Sequence, residues 1–107
     1  MSEYDFGEAP SFIEEEQLEF RQEVVLEDAS RYLGEWLVGT ETRQGRGRIV
    51  WSNGSVYIGW WRDDMANGEG QLTHNNGEMY KGNWENDRYQ GYGVYKYPNG
   101  TEYKGEW

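Results

Sequence analysis

The chain has 107 residues and a formal net charge of −10, with 15 glycines, nine tyrosines, six tryptophans and no cysteine. Without cysteine it has neither a disulfide framework nor thiolate chemistry, and no apolar run approaches the ~20 residues of a membrane span. The acidic N-terminus lacks a signal-like apolar region, so the default expectation is one soluble, cytoplasmic domain.

The apolar material of this chain is aromatic. Leu, Ile, Val and Phe together supply only 17 residues, and that fraction combined with a high net charge is typical of disordered chains. Each Tyr or Trp, however, can bury roughly 150–250 Å². The acidity belongs to residues 1–28, which hold ten acids and one base, whereas residues 29–107 are nearly neutral. The sequence therefore divides into an acidic N-terminal segment, residues 1–22, and a glycine-rich β-array, residues 23–107.

The N-terminal segment carries the start signal of a helix. Ser11 and Glu14 form a capping box, and the glutamates that follow would occupy a first turn, where the helix dipole favours acids. These features predict a short helix over residues 12–21, preceded by mobile residues 1–10. Two interpretations stay open: an acidic cap over the first edge of the sheet, or a docking segment for a basic partner. The apolar side chains that such a docking segment presents are Phe12, Ile13, Leu18 and Phe20.

Residues 23–31 resemble half of a repeat that recurs later in the chain. Aligning "EVVLEDASRY" with "RIVWSNGSVY" places Val24 and Leu26 where Ile49 and Trp51 stand. We interpret residues 23–31 as a degenerate half unit that starts the array; an unrelated strand is the alternative.

From residue 32 onwards the chain repeats with a period of 23 to 25 residues. Because side chains alternate between the two faces of a strand, the residues of Tyr-x-Gly-x-Trp point to one face. The glycine leaves a gap that a ring from the next strand can enter. The predicted structural core of the repeats is Tyr32, Gly34, Trp36, Tyr57, Gly59, Trp61, Tyr80, Gly82, Trp84, Tyr103, Gly105 and Trp107.

Each unit also contains Gly-x-Gly and Asn-Gly. Asn-Gly is typical of two-residue type I′ hairpin turns, which need positive φ at both positions. Each unit is therefore expected to form two short strands, joined to its neighbours in an antiparallel meander. A single hairpin has too little core to be stable alone, so stacked units would bury one continuous row of rings.

These motifs resemble the MORN repeat family over residues 32–107, as three full repeats and a final half repeat. The resemblance implies a mostly-β fold, an elongated, twisted, single-layer array. It also implies assembly and scaffolding roles, as in small cytoskeletal or ciliary MORN-repeat proteins, and hence a location at the cytoskeleton or in the axoneme of a cilium or flagellum.

The sequence shows no catalytic, cofactor-binding or metal-binding constellation. The acidic run at Asp63 has Met65 and His74 where the third and twelfth ligands of a calcium loop should stand. None of the Gly-x-Gly pairs has the third glycine of a dinucleotide fingerprint. His74 takes the place of Trp51 and Tyr97 in the neighbouring units, so we interpret it as a ring of the aromatic row. We expect no enzyme activity, no cofactor and no metal.

The leading hypothesis is a non-enzymatic scaffold that binds other proteins, as a subunit of a larger assembly. An array without net positive charge argues against nucleic acid, since counterion release would contribute little, and against anionic lipid. The alternatives are a membrane-adaptor module that binds anionic phospholipids, and the N-terminal targeting part of a larger enzyme.

The last Tyr-x-Gly-x-Trp is followed by no Gly-x-Gly strand. A strand at this point would have unpaired backbone groups, which natural proteins cover or blunt. Three explanations stay open: a fragment of a longer array, a homodimer through this edge strand, or strand addition by another protein. In the last two cases Tyr103, Gly105 and Trp107 carry the contact.

Overall fold

A computed structural model describes residues 4–107. In this range the chain forms one open sheet of eight antiparallel strands, whose spatial order follows the chain order. The strands are β1 Leu18–Val25, β2 Arg31–Leu37, β3 Arg43–Val50, β4 Val56–Arg62, β5 Met65–Thr73, β6 Met79–Glu85, β7 Arg88–Lys96 and β8 Glu102–Glu106. The predicted mostly-β meander is confirmed, and the molecule measures 43 × 30 × 24 Å.

The helix predicted over residues 12–21 is wrong. Among residues 4–107 the only helical element is a single 3-10 turn, Glu15–Gln17, and its N-cap residue makes no side-chain capping bond. The chain then enters β1 at Leu18, five residues before the expected start of the array, and pairs along β2 from Leu37 to Arg31. A helix this short is marginal in water, whereas strand pairing supplies hydrogen-bond partners for the exposed edge of β2.

Residues Tyr4 to Ile13, which we call the strap, cross one face of the sheet. The indole Nε1–H of Trp60 donates to the carbonyl oxygen of Phe6 at 2.7 Å, and the two rings meet edge to face at 6.0 Å. Pro10 lies against β5, and burial raises the pKa of Tyr4 to about 12. The mobility expected for residues 1–10 is therefore not what residues 4–10 show; residues 1–3 lie outside the described residues.

The two faces of the sheet differ in composition. The tyrosines and tryptophans of the Tyr-x-Gly-x-Trp motifs lie on one face, here called the aromatic face. The opposite face carries Leu33, Arg46, Ile58 and Trp60, and the strap covers part of it; Trp60 has no exposed surface. Among residues 4–107 no helix has the length and apolar character needed to span a membrane.

The turn type predicted at Asn-Gly is wrong. Gly54 N–H donates to the Trp51 carbonyl, and Trp51 N–H donates to the Ser55 carbonyl, both at 2.9 Å. The loop between Trp51 and Ser55 therefore has three residues. Gly54 has φ of 92°, whereas Asn53 does not have positive φ. Its side chain instead accepts the N–H of Ser55 at 2.9 Å. Two-residue turns with positive φ at both positions occur instead between the two strands of a unit, at Asp63-Asp64 and Asn86-Asp87.

A row of paired glycines crosses the middle of the sheet. Gly34, Gly47, Gly59, Gly70, Gly82, Gly93 and Gly105 are matched in register from β2 to β8. A Cβ at Gly59 would lie 2.5 Å from the Cα of Gly70 and 2.7 Å from the hydroxyl of Tyr57. The gap is therefore filled by the backbone of the facing strand and by the tyrosine of the same strand. The ring that was expected to enter from the next strand does not fill it.

We expect Gly59→Val to destabilise the protein by about 3 kcal/mol or more, because the facing backbone cannot move away from the new side chain. Gly105→Val is the matched control. The three atoms nearest to a Cβ there all belong to the side chain of Tyr103, at 3.0 Å or more, and that side chain is half exposed. Its cost should stay below about 1 kcal/mol. Thermal unfolding of both variants checks this, and equal losses would contradict the backbone contact.

Phe6→Ala should lower the free energy of unfolding by about 1–2 kcal/mol, because the half-buried Phe6 ring covers Trp60. Phe20→Ala removes the same side chain from a position that is 68% exposed, and it should change stability by less than about 0.5 kcal/mol. Urea unfolding compares the two variants. If the strap does not pack on the sheet in solution, both substitutions would leave the free energy of unfolding nearly unchanged.

Candidate functional site

Eight rings form an uninterrupted ladder on the aromatic face. Three of the tyrosines, Tyr32, Tyr57 and Tyr80, meet the tryptophan of their own strand and that of the next unit edge to face; Tyr57, for example, lies 5.3 Å from Trp61 and 5.1 Å from Trp84. Edge-to-face packing is a preferred geometry for aromatic pairs. The ladder runs Trp36, Tyr32, Trp61, Tyr57, Trp84, Tyr80, Trp107, Tyr103, with centroids 5.1–5.5 Å apart.

Polar atoms of five of these rings are hydrogen-bonded inside the fold, whereas the buried Nε1–H of Trp36 has no partner among the described residues. The Tyr57 hydroxyl donates to the carbonyl of Trp60 at 2.9 Å. The hydroxyls of Tyr32 and Tyr80 likewise donate to the carbonyl of the residue three positions later in the chain. The indole of Trp61 donates to the Gly47 carbonyl at 3.0 Å. Burial raises the pKa of Tyr32 and of Tyr57 far above the ordinary value. The ladder is therefore a structural core and offers no acid or base near neutral pH.

Beside the ladder each unit has one position, here called its slot, and a different residue occupies it each time: Arg43 in the first unit, Ala66 in the second and Tyr89 in the third. In the first slot the guanidinium of Arg43 lies 4.6 Å from the centre of the Trp61 ring and 5.8 Å from that of Tyr32. In the third slot Tyr89 stacks on Tyr80, with centroids 3.9 Å apart. The second slot is occupied by Ala66, whose side chain is a single methyl group and does not fill it.

The second slot opens into a groove of about 480 Å³ on the aromatic face. The rings of Tyr57, Trp61 and Trp84 form its walls, together with aliphatic side chains of β3 and β5. Four acids lie along its edge with a single base, Arg43; the acids are Glu27, Asp28, Asp64 and Asp87. Aromatic walls with an acidic edge can hold a basic group or a mixed apolar and basic segment.

Sequence reasoning missed this groove. The residues that form its walls were assigned to the core, and the position that opens it is a single alanine. A signal was present: aligning the units places Arg43, Ala66 and Tyr89 at one repeat position, 23 residues apart. A small residue between two large ones at the same position indicates an open slot.

The four predicted docking residues of the N-terminal segment are not equally available. The guanidinium of Arg62 lies 5.0 Å from the ring centre of Phe12. Ile13 and Leu18 are half-buried, and Phe20 alone of the four is largely exposed, on the face opposite the ladder. Their binding to a basic partner stays a prediction.

The predicted contact residues of the last strand lie at the edge of the sheet. Within the described part of the chain, β8 pairs with β7 alone. Tyr103 is 51% exposed and Trp107 43% exposed. Trp107 nevertheless closes the third slot, since its ring lies 5.5 Å from Tyr80 and 5.3 Å from Tyr89.

No group of three or more His, Cys, Asp or Glu side chains in residues 4–107 is placed to hold a metal ion. His74 lies beside Tyr95, with ring centroids 6.2 Å apart, at the edge of the aromatic row.

Comparison with known proteins identifies the repeat. No curated protein matches the chain. A family model described as MORN repeat matches residues 42–56, 57–79 and 80–102, which together make up more than half of the chain. MORN repeats are generally found in proteins involved in protein binding or membrane-lipid binding. The matched units coincide with the hairpins that build the ladder, and the chain belongs to the MORN repeat family.

Proposed function

We propose that this protein is a non-enzymatic scaffold that binds other proteins through its aromatic face. The observation that carries the proposal is the groove over Ala66, a concave surface of the aromatic face whose lining includes the rings of Tyr57, Trp61 and Trp84. Tyr and Trp dominate the energetics of protein interfaces when they stand in such pockets.

The charges of the protein favour a protein partner over an anionic membrane. Three arginines, Arg43, Arg46 and Arg48, stand close together in the sequence, but they lie on two different faces. Arg46 is held between Glu15 at 2.8 Å and Glu35 at 3.3 Å, and Arg43 is paired with Asp64. Two of the three charges are therefore neutralised locally, in a chain with a net charge of −10.

The wider setting we propose is a cytoskeletal or ciliary complex, such as an axoneme, in the cytoplasm. It is supported by the resemblance to small MORN-repeat proteins of such structures, and imaging of the tagged protein at native levels tests it. An alternative, that the chain is the N-terminal targeting part of a larger enzyme, is tested by the length of the natural open reading frame.

A second proposed surface is the edge strand β8. The exposed Tyr103 ring and the edge that is unpaired within residues 4–107 suit strand addition by a partner or by a second copy of the chain. Sedimentation of the purified protein over a range of concentrations tests the homodimer. Loss of self-association in a Tyr103→Ser variant would assign it to this edge.

Ala66→Tyr should abolish binding of the partner, because the new ring fills the second slot as Tyr89 fills the third. Asn83→Tyr is the control, since it adds the same ring at an exposed position on the opposite face. Proteins that co-purify at native levels with each variant are quantified, and the candidates are then tested as purified pairs. An unchanged partner set with Ala66→Tyr would contradict binding at the groove.

We expect no binding to vesicles that contain phosphatidylserine and phosphoinositides at about 0.15 M salt, because two of the three arginines are paired and the net charge is negative. Co-sedimentation with these vesicles and with neutral phosphatidylcholine vesicles measures the effect. Clear binding to the anionic vesicles, lost on neutralising Arg43, Arg46 and Arg48, would favour the membrane-adaptor alternative.

A further inference from the structure

The first slot contains a complete binding arrangement for an arginine. The Arg43 guanidinium lies over Trp61, its Nε–H donates to Asp64 Oδ1 at 2.9 Å and its Nη2–H donates to the Asp64 carbonyl at 3.0 Å. The backbone N–H groups of the same two residues form two further hydrogen bonds. Arg43 N–H donates to Asp64 Oδ1 at 2.8 Å, and Asp64 N–H donates to the Arg43 carbonyl at 3.1 Å.

The second slot repeats this frame without the cation. Ala66 N–H donates to Asp87 Oδ1 at 2.7 Å, and Asp87 N–H donates to the Ala66 carbonyl at 3.0 Å. Tyr57 and Trp84 take the places of Tyr32 and Trp61, with nearly the same centroid separation, 5.1 Å against 5.4 Å. The ring pair, the carboxylate and the backbone carbonyl are present, and the side chain that used them in the first slot is absent.

We propose that the second slot binds an arginine side chain of a partner protein. The guanidinium stacks on Trp84 and donates to the carboxylate and the backbone carbonyl of Asp87, as Arg43 does one unit earlier. This inference rests on the proposed function and names the chemistry of its partner. The acids along the groove, Glu27 and Asp28 among them, attract a segment that carries further basic residues.

Arginine suits this slot better than lysine. A guanidinium is planar, stacks on an aromatic face and donates two hydrogen bonds in a fixed fork, whereas an ammonium is a compact and strongly hydrated charge. An uncharged side chain of the same shape would leave the Asp87 carboxylate without a counter-charge. Selectivity for arginine over lysine and over the uncharged analogue is therefore the distinguishing property of the site.

The test uses three small probes: the N-methylamides of N-acetyl-arginine, N-acetyl-lysine and N-acetyl-citrulline, the last an uncharged analogue of arginine. Each is titrated into ¹⁵N-labelled full-length protein at constant ionic strength. We expect the arginine probe to shift the indole N–H signal of Trp84 and the amide signals of Ala66 and Asp87. Citrulline should bind at least about 10-fold more weakly, because charge-assisted hydrogen bonds are roughly twice as strong as neutral ones.

Two variants and one control locate the site. Asp87→Asn keeps an acceptor for Ala66 N–H but removes the charge, and should weaken the arginine probe at least about 10-fold. Ala66→Arg should abolish its binding and raise the melting temperature, since the slot is then filled as in the first unit. Asp63→Asn, an exposed acid of the neighbouring turn, should change nothing.

Equal shifts with arginine and citrulline, or binding that survives both Asp87→Asn and Ala66→Arg, would overturn the proposal. These outcomes are separate from the failure of the proposed function. If partner proteins are lost with Ala66→Tyr while the arginine probe does not bind, the groove binds protein through other chemistry. If the arginine probe binds but no protein depends on the groove, the scaffold proposal fails instead.

Discussion

The structure depends on the close contact between glycines of neighbouring strands. At Gly34, Gly59 and Gly82 a Cβ would collide with the facing backbone, and at Gly47, Gly70 and Gly93 it would collide with a tyrosine ring. This row of the aromatic face therefore has no side chains of its own. The tyrosine two residues earlier can then lie flat across both glycines and donate to a carbonyl beyond them. Glycine within a strand costs conformational entropy, and here the buried ring and its hydrogen bond offset that cost.

The ladder follows from this contact and separates stability from function. Because each tyrosine ring is held over glycines, its edges are free to meet two tryptophans, and the contacts pass from one unit to the next. Stability is then distributed over the whole row, as expected for repeat proteins. The slot position does not take part in that row, so Arg43, Ala66 and Tyr89 can differ without interrupting it, and a single residue decides whether a unit is closed or open.

The period-two pattern of Tyr-x-Gly-x-Trp was sufficient to predict the meander and its aromatic row. What it could not predict were features decided by contacts distant in the sequence. The capping box at Ser11 is a valid local helix signal, but pairing between β1 and β2 prevails over it. Asn53 forms a side-chain turn with Ser55 in place of the type I′ turn, because the loop has one more residue between its paired ends. The groove is defined by what Ala66 lacks, and a pattern search finds motifs that are present.

The distribution of charge gives the two faces different roles. On the opposite face Arg46 is paired with Glu15 and Glu35 and lies over Trp60, with its guanidinium 4.8 Å from the ring centre. Glu15 and Glu35 therefore neutralise the basic charge of Arg46, and the strap covers the ring of Trp60 through Phe6. On the aromatic face the base that lines the groove, Arg43, is already paired with Asp64, so Glu27, Asp28 and Asp87 have no ion-pair partner of their own among the described residues. A basic segment that approaches the aromatic face meets these carboxylates beside the ring walls, and their attraction favours its binding at the groove.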